Sequence, residues 1–399
     1  MNDSSLGAEG QALTALIQFG WNDDVATSFA TIAEPGDIPA RVTAVHRSRI
    51  VVATNAGERD ATLDPRLLNG DSLARPATGD WIALRVDASD TSARARVIVP
   101  RRTAFIRRAA GARAEAQVVA ANIDRVFVVM ALPHDVNVRR LERYLALAWE
   151  SGAVPAVVLT KCDLVAEVQI LRLASLAQDD TLAASLAQDD RLAASRAQVV
   201  DEYVSTVRGV APGVDVIAVS ASNDDGIIEL RKLIGLRSTI ALLGSSGVGK
   251  STLINRLAGR EIMRTADVDR DGRGRHTTTH RELVHLGNGV LVIDTPGMRE
   301  LQLWSADAGL EHVFEDIATL SESCRFSDCR HDNEPGCAVV DAVNTGVMSP
   351  ERLKSWRKLE REAARSQLET DAVAASAERA KLRALMRSVR VHVRAKHDR

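Results

Sequence analysis

The sequence predicts a multidomain chain in which a small β-barrel precedes an α/β domain and a helical, cysteine-bearing region follows. Three observations support this order. Short alternating apolar runs lie between residues 36 and 100, buried-strand runs alternate with helical patterns between 118 and 293, and three of the four cysteines lie between 324 and 337. Short alternating strands are typical of small barrels, whereas strand–helix alternation is typical of parallel sheets covered by helices.

The composition of the 399-residue chain limits its partners and its compartment. A single core rarely exceeds ~250 residues, so we expect two or three domains. The net charge of −2 and the isoelectric point of about 6.5 exclude an overall basic field, so any nucleic-acid surface must be local. Apolar runs stay well short of the ~20 residues of a membrane span, and the N-terminus lacks a signal-peptide pattern. We therefore expect a cytoplasmic protein without membrane association.

A helical arm and the predicted barrel make up the N-terminal part of the chain. Residues 1–35 carry a short helical pattern that we interpret as a docking arm without chemistry of its own. Residues 36–102 predict an antiparallel barrel of about five strands, of the OB type. Such barrels bind oligonucleotides or serve as scaffolds, and the pattern leaves both open. Trp81 is expected in the core rather than on a stacking platform.

A basic stretch follows the barrel at residues 100–108, with one aromatic side chain among its arginines. It is either a linker or a strip that contacts phosphate, since arginine binds phosphate through a fork of donors. The sequence does not decide between these two interpretations.

A phosphate-binding loop stands between a predicted strand over 240–243 and a predicted helix. The segment 244–251 fits the pattern G-x-x-x-x-G-K-[ST], in which backbone N–H groups and a helix N-terminus surround phosphate oxygens. Lys250 is expected to reach the β- and γ-phosphates, and the Ser251 hydroxyl to hold Mg²⁺. The candidate binding residues are Gly244, Ser245, Ser246, Gly247, Val248, Gly249, Lys250, Ser251 and Thr252.

Further motifs indicate that the bound nucleotide carries guanine. Thr160, Lys161, Cys162 and Asp163 follow a predicted strand over 154–159 and resemble the [NT]-K-x-D element, whose carboxylate accepts hydrogen bonds from the guanine ring N–H and exocyclic amine. Ser220 and Ala221, also after a strand, resemble the supporting guanine loop. In the D-x-x-G element at 294–297, Asp294 lies on the Mg²⁺ side and Gly297 can sense a γ-phosphate. The motifs together predict binding of GTP and GDP with Mg²⁺.

The order of these motifs indicates a circular permutation. Ordinary small GTPases begin with the phosphate loop and end with the guanine elements, whereas here the guanine elements come first. We therefore predict an N-terminal OB-type β-barrel, a circularly permuted α/β P-loop GTPase core over 116–305 and a C-terminal α-helical zinc-binding domain over 306–399 that ends in a basic tail. The D-x-x-G switch then leads directly into the C-terminal domain.

A tandem repeat is inserted in the core at residues 172–197. ASLAQDD occurs at 174–180 and again at 184–190, and a degenerate third copy begins with ASRAQ at 194. A period of ten does not keep one face aligned on a helix with 3.6 residues per turn, although alanine and leucine favour helix. We interpret the insertion as a lengthened surface helix without a function of its own.

The cysteine cluster predicts a structural zinc site. Cys324, Cys329, His331 and Cys337 supply three thiolates and one imidazole, a closed tetrahedral set without an open position for catalysis. Clustered cysteines in a reducing compartment favour a metal over disulfides.

These residues resemble the circularly permuted, small-ribosomal-subunit-dependent GTPases of the RsgA family over roughly 36–360. Besides the motifs above, the resemblance rests on PRRT at 100–103, AANID at 120–124, GRGRHTTT at 272–279, DTPGMRE at 294–300 and CRFSDCRHDNEPGCAV at 324–339. It implies a role in late assembly of the small ribosomal subunit, with that subunit and its rRNA as partners and GTP hydrolysis stimulated by the subunit. We expect a monomer. The guanine motif opens with Thr160 where many members have Asn, and the repeat and the tail lie outside the pattern.

The hydrolytic machinery departs from that of ordinary small GTPases. Met298 stands where a water-orienting Gln usually follows D-x-x-G, so intrinsic hydrolysis should be slow. The resemblance makes His276 the catalytic candidate; the alternative is that His276 only stabilises the switch loop. One threonine of 277–279, with Thr278 favoured, should ligate Mg²⁺ in the GTP state.

Two other functions compete with a ribosome-assembly GTPase. One is a non-hydrolysing, nucleotide-regulated RNA-binding scaffold. The intact core residues argue against it: Lys250, Ser251, Asp294 and Asp163. The other is an ATP-driven nucleic-acid enzyme, which Asp163 opposes because adenine cannot offer the donors that this carboxylate requires.

Overall fold

The structure is a computed structural model that describes residues 14–46, 49–69, 71–87, 92–108, 116–165, 190–263, 282–294, 307–332 and 334–368. The chain divides into two compact units. The first takes in the described parts of Met1–Ile106 and Val118–Leu301, and the second those of Arg107–Gln117 and Gln302–Arg399. Within the described ranges, no helix has the length and apolar character needed to cross a membrane.

From residue 14, where the described part of the N-terminal arm begins, the arm forms two short helices, α1 (Thr14–Ile17) and α2 (Asp23–Ala30). Asn22 caps α2, since its side-chain oxygen accepts a hydrogen bond from the Val25 N–H at 3.0 Å. The indole rings of Trp21 and Trp81 meet edge to face with centroids 5.1 Å apart. Trp81 is 2% exposed, so its prediction as a core residue is confirmed.

The barrel has five strands and is closed. They are β1 (Asp37–Val45), β2 (Ile50–Thr54), β3 (Gly57–Leu63), β4 (Trp81–Val86) and β5 (Ala93–Ile98). Their order is β1-β2-β3-β5-β4, and β4 pairs back to β1. The strand pairs are antiparallel except β3–β5, which is parallel, so the predicted OB-type barrel is confirmed with that correction. A helix, α3 (Pro65–Asn69), follows β3 and places Leu67 in the barrel core.

The α/β core is a six-stranded part of the same continuous sheet. Its strands are β8 (Arg125–Ala131), β9 (Val154–Thr160), β10 (Asp215–Ala218), β11 (Thr239–Leu243), β12 (Glu282–Gly287) and β13 (Val290–Asp294), in the order β10-β9-β8-β11-β13-β12. All pairs are parallel except β12–β13. Strand β11, which enters the phosphate loop, lies between β8 from earlier in the chain and β13 from later in it. The permuted motif order requires this arrangement.

Between these strands, the described residues form four helices: α4 (Val138–Glu150), α5 (Asp190–Val210), α6 (Ile227–Ile234) and α7 (Lys250–Ala258). Buried aliphatic side chains from the strands and from α6 and α7 form one cluster. Helix α5 includes the end of the repeat insertion, so the predicted helix is observed over 190–197, and 172–189 lies outside the described residues.

A two-stranded sheet of β6 (Ala104–Arg108) and β7 (Ala116–Ala121) precedes the core. The apolar stretch 118–132 therefore holds two strands rather than one. Asn122 separates them with a positive φ of 55°, a conformation that asparagine adopts more readily than most residues.

A buried arginine joins the arm, the barrel and the core. Arg41 on β1 is 2% exposed, and its guanidinium donates to the Gly79 oxygen at 3.3 Å and the Asn122 oxygen at 3.2 Å. It also donates to Thr239 Oγ1 at 2.9 Å and to the carbonyl of Phe19. Burial lowers the pKa of Arg41 to about 10, so the side chain remains charged at neutral pH.

The basic stretch after the barrel begins with a structural arginine. Arg101 Nε donates to Asp80 Oδ1 at 2.7 Å, and its Nη1 donates to the Leu73 oxygen at 2.6 Å. Burial raises the pKa of the fully buried Asp80, and the hydrogen bond from Arg101 opposes that rise. Arg101 is therefore a structural residue and not a phosphate contact, because its guanidinium is hydrogen-bonded to groups inside the protein.

The C-terminal region of the second unit is helical, as predicted. Its described residues form α8 (Asp307–Val313), α9 (Glu315–Ser321), α10 (Ala338–Asn344) and α11 over 350–368. Leu310 on α8, Phe314 at the N-cap of α9 and Ile317 on α9 are buried. Ser349 caps α11 by accepting a hydrogen bond from the Arg352 N–H at 3.2 Å. The predicted basic tail lies outside the described residues.

Candidate nucleotide site and metal centre

The phosphate loop connects β11 to α7 and requires glycine at its first position. A Cβ on Gly244 would lie 2.4 Å from the Val129 oxygen, closer than any side chain allows. Gly247 and Gly249 have φ of 77° and 90°, in the left-handed region that glycine adopts at no steric cost. Gly249 stands immediately before α7, so the loop ends where the free N–H groups of that helix begin.

The lysine of the motif lies across the loop. Lys250 Nζ donates to the Gly244 oxygen at 2.8 Å and to the Ser245 oxygen at 2.6 Å. The ammonium group is thus held beside the backbone that the motif uses to surround phosphate. Ser251 follows in the first turn of α7.

The guanine motif is bonded directly to the phosphate loop. Thr160 is the last residue of β9 and is buried, and its Oγ1 donates to the Val248 oxygen at 2.6 Å, although the two residues are 88 positions apart. Lys161 Nζ donates to the Gly247 oxygen at 2.8 Å. The structure therefore brings together two elements that the sequence could only assign separately.

Two serines after β10 position the carboxylate of Asp163. Ser222 Oγ donates to Asp163 Oδ2 at 3.0 Å, and the hydroxyls of Ser220 and Ser222 lie 2.7 Å apart. Burial opposes the charge on Asp163, but hydrogen bonds from Ser220, from its own backbone N–H and from Ser222 leave its pKa lowered. The carboxylate is therefore ionised at neutral pH and can accept the two N–H groups of guanine.

Ser222 was missed from the sequence, where only Ser220 and Ala221 were assigned. The repeated serine of Ser220-Ala221-Ser222 was the available signal.

Cys162 is buried next to the carboxylate of Asp163. Burial and the charges of Asp225 and Asp163 raise the pKa of Cys162 to about 11, so its thiol is neutral.

The switch elements are described only in part. Ile293 on β13 pairs with Ala241 on β11, so Asp294 ends β13 at the sheet edge where the phosphate loop begins. This is the edge at which open parallel sheets bind ligands. The remaining predicted residues, His276, Thr278, Gly297 and Met298, lie outside the described residues.

The four predicted metal ligands come together in the second unit. The ligand atoms of Cys324, Cys329, His331 and Cys337 all lie within 4.8 Å of one another. Cys324 Sγ is 3.9 Å from Cys337 Sγ, and His331 Nδ1 is 3.6 Å and 3.5 Å from these two sulfur atoms respectively. Tetrahedral zinc with Zn–S of about 2.3 Å and Zn–N of about 2.0 Å requires S···S of about 3.8 Å and S···N of about 3.5 Å. The geometry fits zinc.

The tautomer of His331 also suits a metal. Ser321 Oγ donates to the Ile317 oxygen at 2.6 Å, so its lone pairs face His331 Nε2 at 3.1 Å and accept the proton there. The lone pair of Nδ1 then points to the thiols, and an oxygen acceptor on the other nitrogen is typical of metal-bound histidine. Burial lowers the pKa of His331, which favours the neutral, ligating form.

Cys324 and Cys329 differ in acidity. Burial raises the pKa of Cys324, but the N–H groups of Ala338 and Val339 outweigh it and leave that pKa lowered. Burial and the neighbouring sulfurs raise the pKa of Cys329 to about 11. Ionisation of the Cys329 thiol at neutral pH therefore needs a compensating cation, as in other thiolate–metal sites.

A phosphate loop bonded to a guanine-type motif, on a sheet whose strand order is permuted, defines a circularly permuted GTPase. The model of the RsgA GTPase family matches residues 98–190 and 192–304. The small ribosomal subunit biogenesis GTPase RsgA of Opitutus terrae is 41% identical over 376 residues, covering 91% of this chain and 94% of the relative. The protein of the same name from Streptomyces coelicolor is 42% identical over 363 residues, covering 90% and 89%. The chain belongs to the RsgA GTPase family.

Solved structures show the same fold. The crystal structure of YjeQ from Thermotoga maritima superposes with a TM-score of 0.56 at 21% identity, covering 82% of this chain and 99% of that one. YloQ, described as a circularly permuted GTPase, gives 0.54 at 21% identity, covering 82% and 95%. At this identity the likeness extends to the fold alone, and it supports the predicted permutation.

Proposed function

We propose that this GTPase binds the small ribosomal subunit and acts in its late assembly, hydrolysing GTP to GDP and phosphate when the subunit stimulates it. The observation that carries the proposal is the sequence identity of 41% and 42% to relatives named for biogenesis of that subunit, over 91% and 90% of this chain. The contacts between the guanine motif and the phosphate loop support it, because a chain retaining only an RNA-binding role would not need them.

The roles of the site residues follow from their chemistry. Lys250 and the loop N–H groups bind the phosphates, and Asp163 reads guanine through its ionised carboxylate. Ser251, Asp294 and Thr278 would hold Mg²⁺, which neutralises charge developing on the phosphates. During hydrolysis water attacks the γ-phosphorus, the bond to the β–γ bridging oxygen breaks and leaves its electrons on GDP, and the proton of the attacking water passes to an oxygen of the released phosphate.

The source of stimulation is inferred from the switch sequence. Met298 cannot orient the attacking water, and we assign that role to His276, ordered by docking on the subunit. The D-x-x-G switch continues along the chain towards the zinc-binding region, so nucleotide state can be passed through the backbone. Linkage then requires that the subunit favour the GTP-bound form by the same free energy.

One structural zinc ion is assigned to Cys324, Cys329, His331 and Cys337. The support is the match of the sulfur and nitrogen distances to tetrahedral zinc and the tautomer held by Ser321. The zinc would join the segment after α9 to the start of α10. We further propose that the protein is a cytoplasmic monomer whose contacts on the subunit are to rRNA.

The deciding experiment measures GTP and ATP turnover alone, with small ribosomal subunits and with large subunits as the matched control. We expect slow basal hydrolysis, selectivity for GTP and stimulation by small subunits only. Turnover that neither subunit changes would support the scaffold alternative. Hydrolysis of ATP at the rate of GTP would contradict the guanine assignment.

A further inference from the structure

The repeat insertion reaches the guanine site through its third copy. The first two copies carry leucine at their third position, Leu176 and Leu186, whereas the degenerate copy carries Arg196. The first five residues are ASLAQ in the first two copies and ASRAQ in the third, so the arginine is the only difference among them. Arg196 lies on α5, in the described part of that helix.

Arg196 is ion-paired with the loop that positions the guanine-reading carboxylate. Its Nη2 lies 3.3 Å from Asp225 Oδ2. Asp225 closes the loop 220–225, because its backbone oxygen accepts a hydrogen bond from the Ser220 N–H at 2.9 Å. Ser222, inside the same loop, donates to Asp163 at 3.0 Å. Together with the 2.7 Å contact between the hydroxyls of Ser220 and Ser222, four consecutive contacts therefore connect the repeat helix to the carboxylate.

The same loop is also held by the helix that follows the phosphate loop. Arg256 on α7 forms two hydrogen bonds to the carboxylate of Asp224. Two arginines from different helices thus fix neighbouring aspartates, and their charges offset the carboxylates gathered beside Asp163. The charge of Arg196 also favours the ionised form of Asp163 and so contributes to its lowered pKa.

We propose that Arg196 is a positioning residue for guanine recognition, which it serves by fixing Asp225 and thereby the serine loop that orients Asp163. The inference rests on the proposed role of Asp163. It gives the repeat insertion a function that its sequence period did not indicate. The arginine acts on nucleotide selectivity rather than on the chemical step.

The expected effect is modest because the pair is partly exposed, 34% for Arg196 and 46% for Asp225. Exposed ion pairs of this kind change an equilibrium constant by about two- to fivefold. Because solvent ions screen such pairs, the effect should shrink as ionic strength rises. Loss of helix packing would not show this salt dependence.

The test compares binding of GDP and inosine diphosphate by calorimetric titration of the full chain. Inosine lacks the exocyclic amine, so it offers Asp163 one donor instead of two. Arg196→Leu, which restores the residue of the other copies, should weaken GDP binding about two- to fivefold at low salt and inosine diphosphate binding by less. Arg196→Lys should recover part of the loss. Arg208→Leu, the same change at an exposed position of the same helix, is the control and should leave both constants unchanged.

Two outcomes would overturn the proposal: wild-type constants in Arg196→Leu, or equal weakening of both nucleotides. A double variant with Asp225→Asn should lose no more than either single variant, and additive losses would also contradict it. Thermal unfolding confirms that each variant is folded. If the wild-type chain binds ADP as well as GDP, the guanine assignment itself fails, which is a distinguishable result.

Discussion

The hydrogen bond from Thr160 to the phosphate loop provides the sharpest test of the site geometry. Thr160→Val replaces the hydroxyl by a methyl group at a position 2.6 Å from the Val248 oxygen, where a methyl group cannot remain. The buried carbonyl loses its donor, and the loop must move away to relieve the overlap. Both consequences act on the segment that is expected to hold the phosphates.

The magnitude follows from the burial of both partners, with Thr160 at 4% exposure and Val248 at 2%. A buried carbonyl left without a partner costs about 1–3 kcal/mol, equivalent to a factor of about 5 to 150 in an equilibrium constant. Each kcal/mol lowers the midpoint of thermal unfolding of a domain this size by about 2–4 °C. We therefore expect a lower melting temperature together with weaker GDP binding.

Thermal unfolding and GDP titration of Thr160→Val measure the two effects, with Thr160→Ser as the matched control because serine retains the donor. The serine variant should stay close to wild type in both measurements. If the valine variant melts and binds GDP as the serine variant does, the bond does not hold the loop and the reasoning is refuted.

Three further predictions concern the rest of the site. Asp163→Asn should weaken GTP binding by about a hundredfold or more, because two charge-assisted hydrogen bonds are lost. The same variant should bind xanthosine triphosphate better than the wild type does. Unchanged GTP affinity in a calorimetric titration would contradict the assignment of Asp163. Metal analysis should find one zinc per chain, and Cys329→Ala should lose it and melt the second unit while nucleotide binding persists; freshly purified protein without zinc would disprove this. Co-sedimentation should show tight binding to small subunits with a non-hydrolysable GTP analogue and weak binding with GDP. His276→Ala should lose most of the turnover that the subunit stimulates. Equal pelleting in both nucleotide states, or full stimulation of the variant, would count against the mechanism.

Sequence patterns predicted the strands whose side chains are nearly all buried. Strand β9 is a run of apolar side chains, so the strand predicted over 154–159 differs from the observed Val154–Thr160 by one residue. Strand β3 has no apolar run that would mark its bounds in the sequence, because only Ala61 among its seven residues is buried. Strand β12 mixes glutamate and histidine with its apolar residues and gave no recognisable period.

Contacts between distant segments were beyond the reach of sequence patterns. Motif spacing identified the ligand types at the metal centre, but not the role of Ser321, which acts through a hydrogen bond to His331 rather than as a ligand. Arg101 was read as a possible phosphate contact because its burial beside Asp80 depends on the folded barrel. Local composition cannot show that a charge is neutralised by a residue 21 positions away.

The buried guanidinium of Arg41 limits how this protein can be dissected. Deleting the barrel would leave Asn122 and Thr239 without their donor and would uncover β12, which pairs with β1 at Ala44 and Glu282. An uncovered edge strand is a template for aggregation. A core truncated before residue 116 should therefore be insoluble, whatever its affinity for nucleotide. The barrel is not a detachable module, and its contribution is best separated by substitutions on its outer surface.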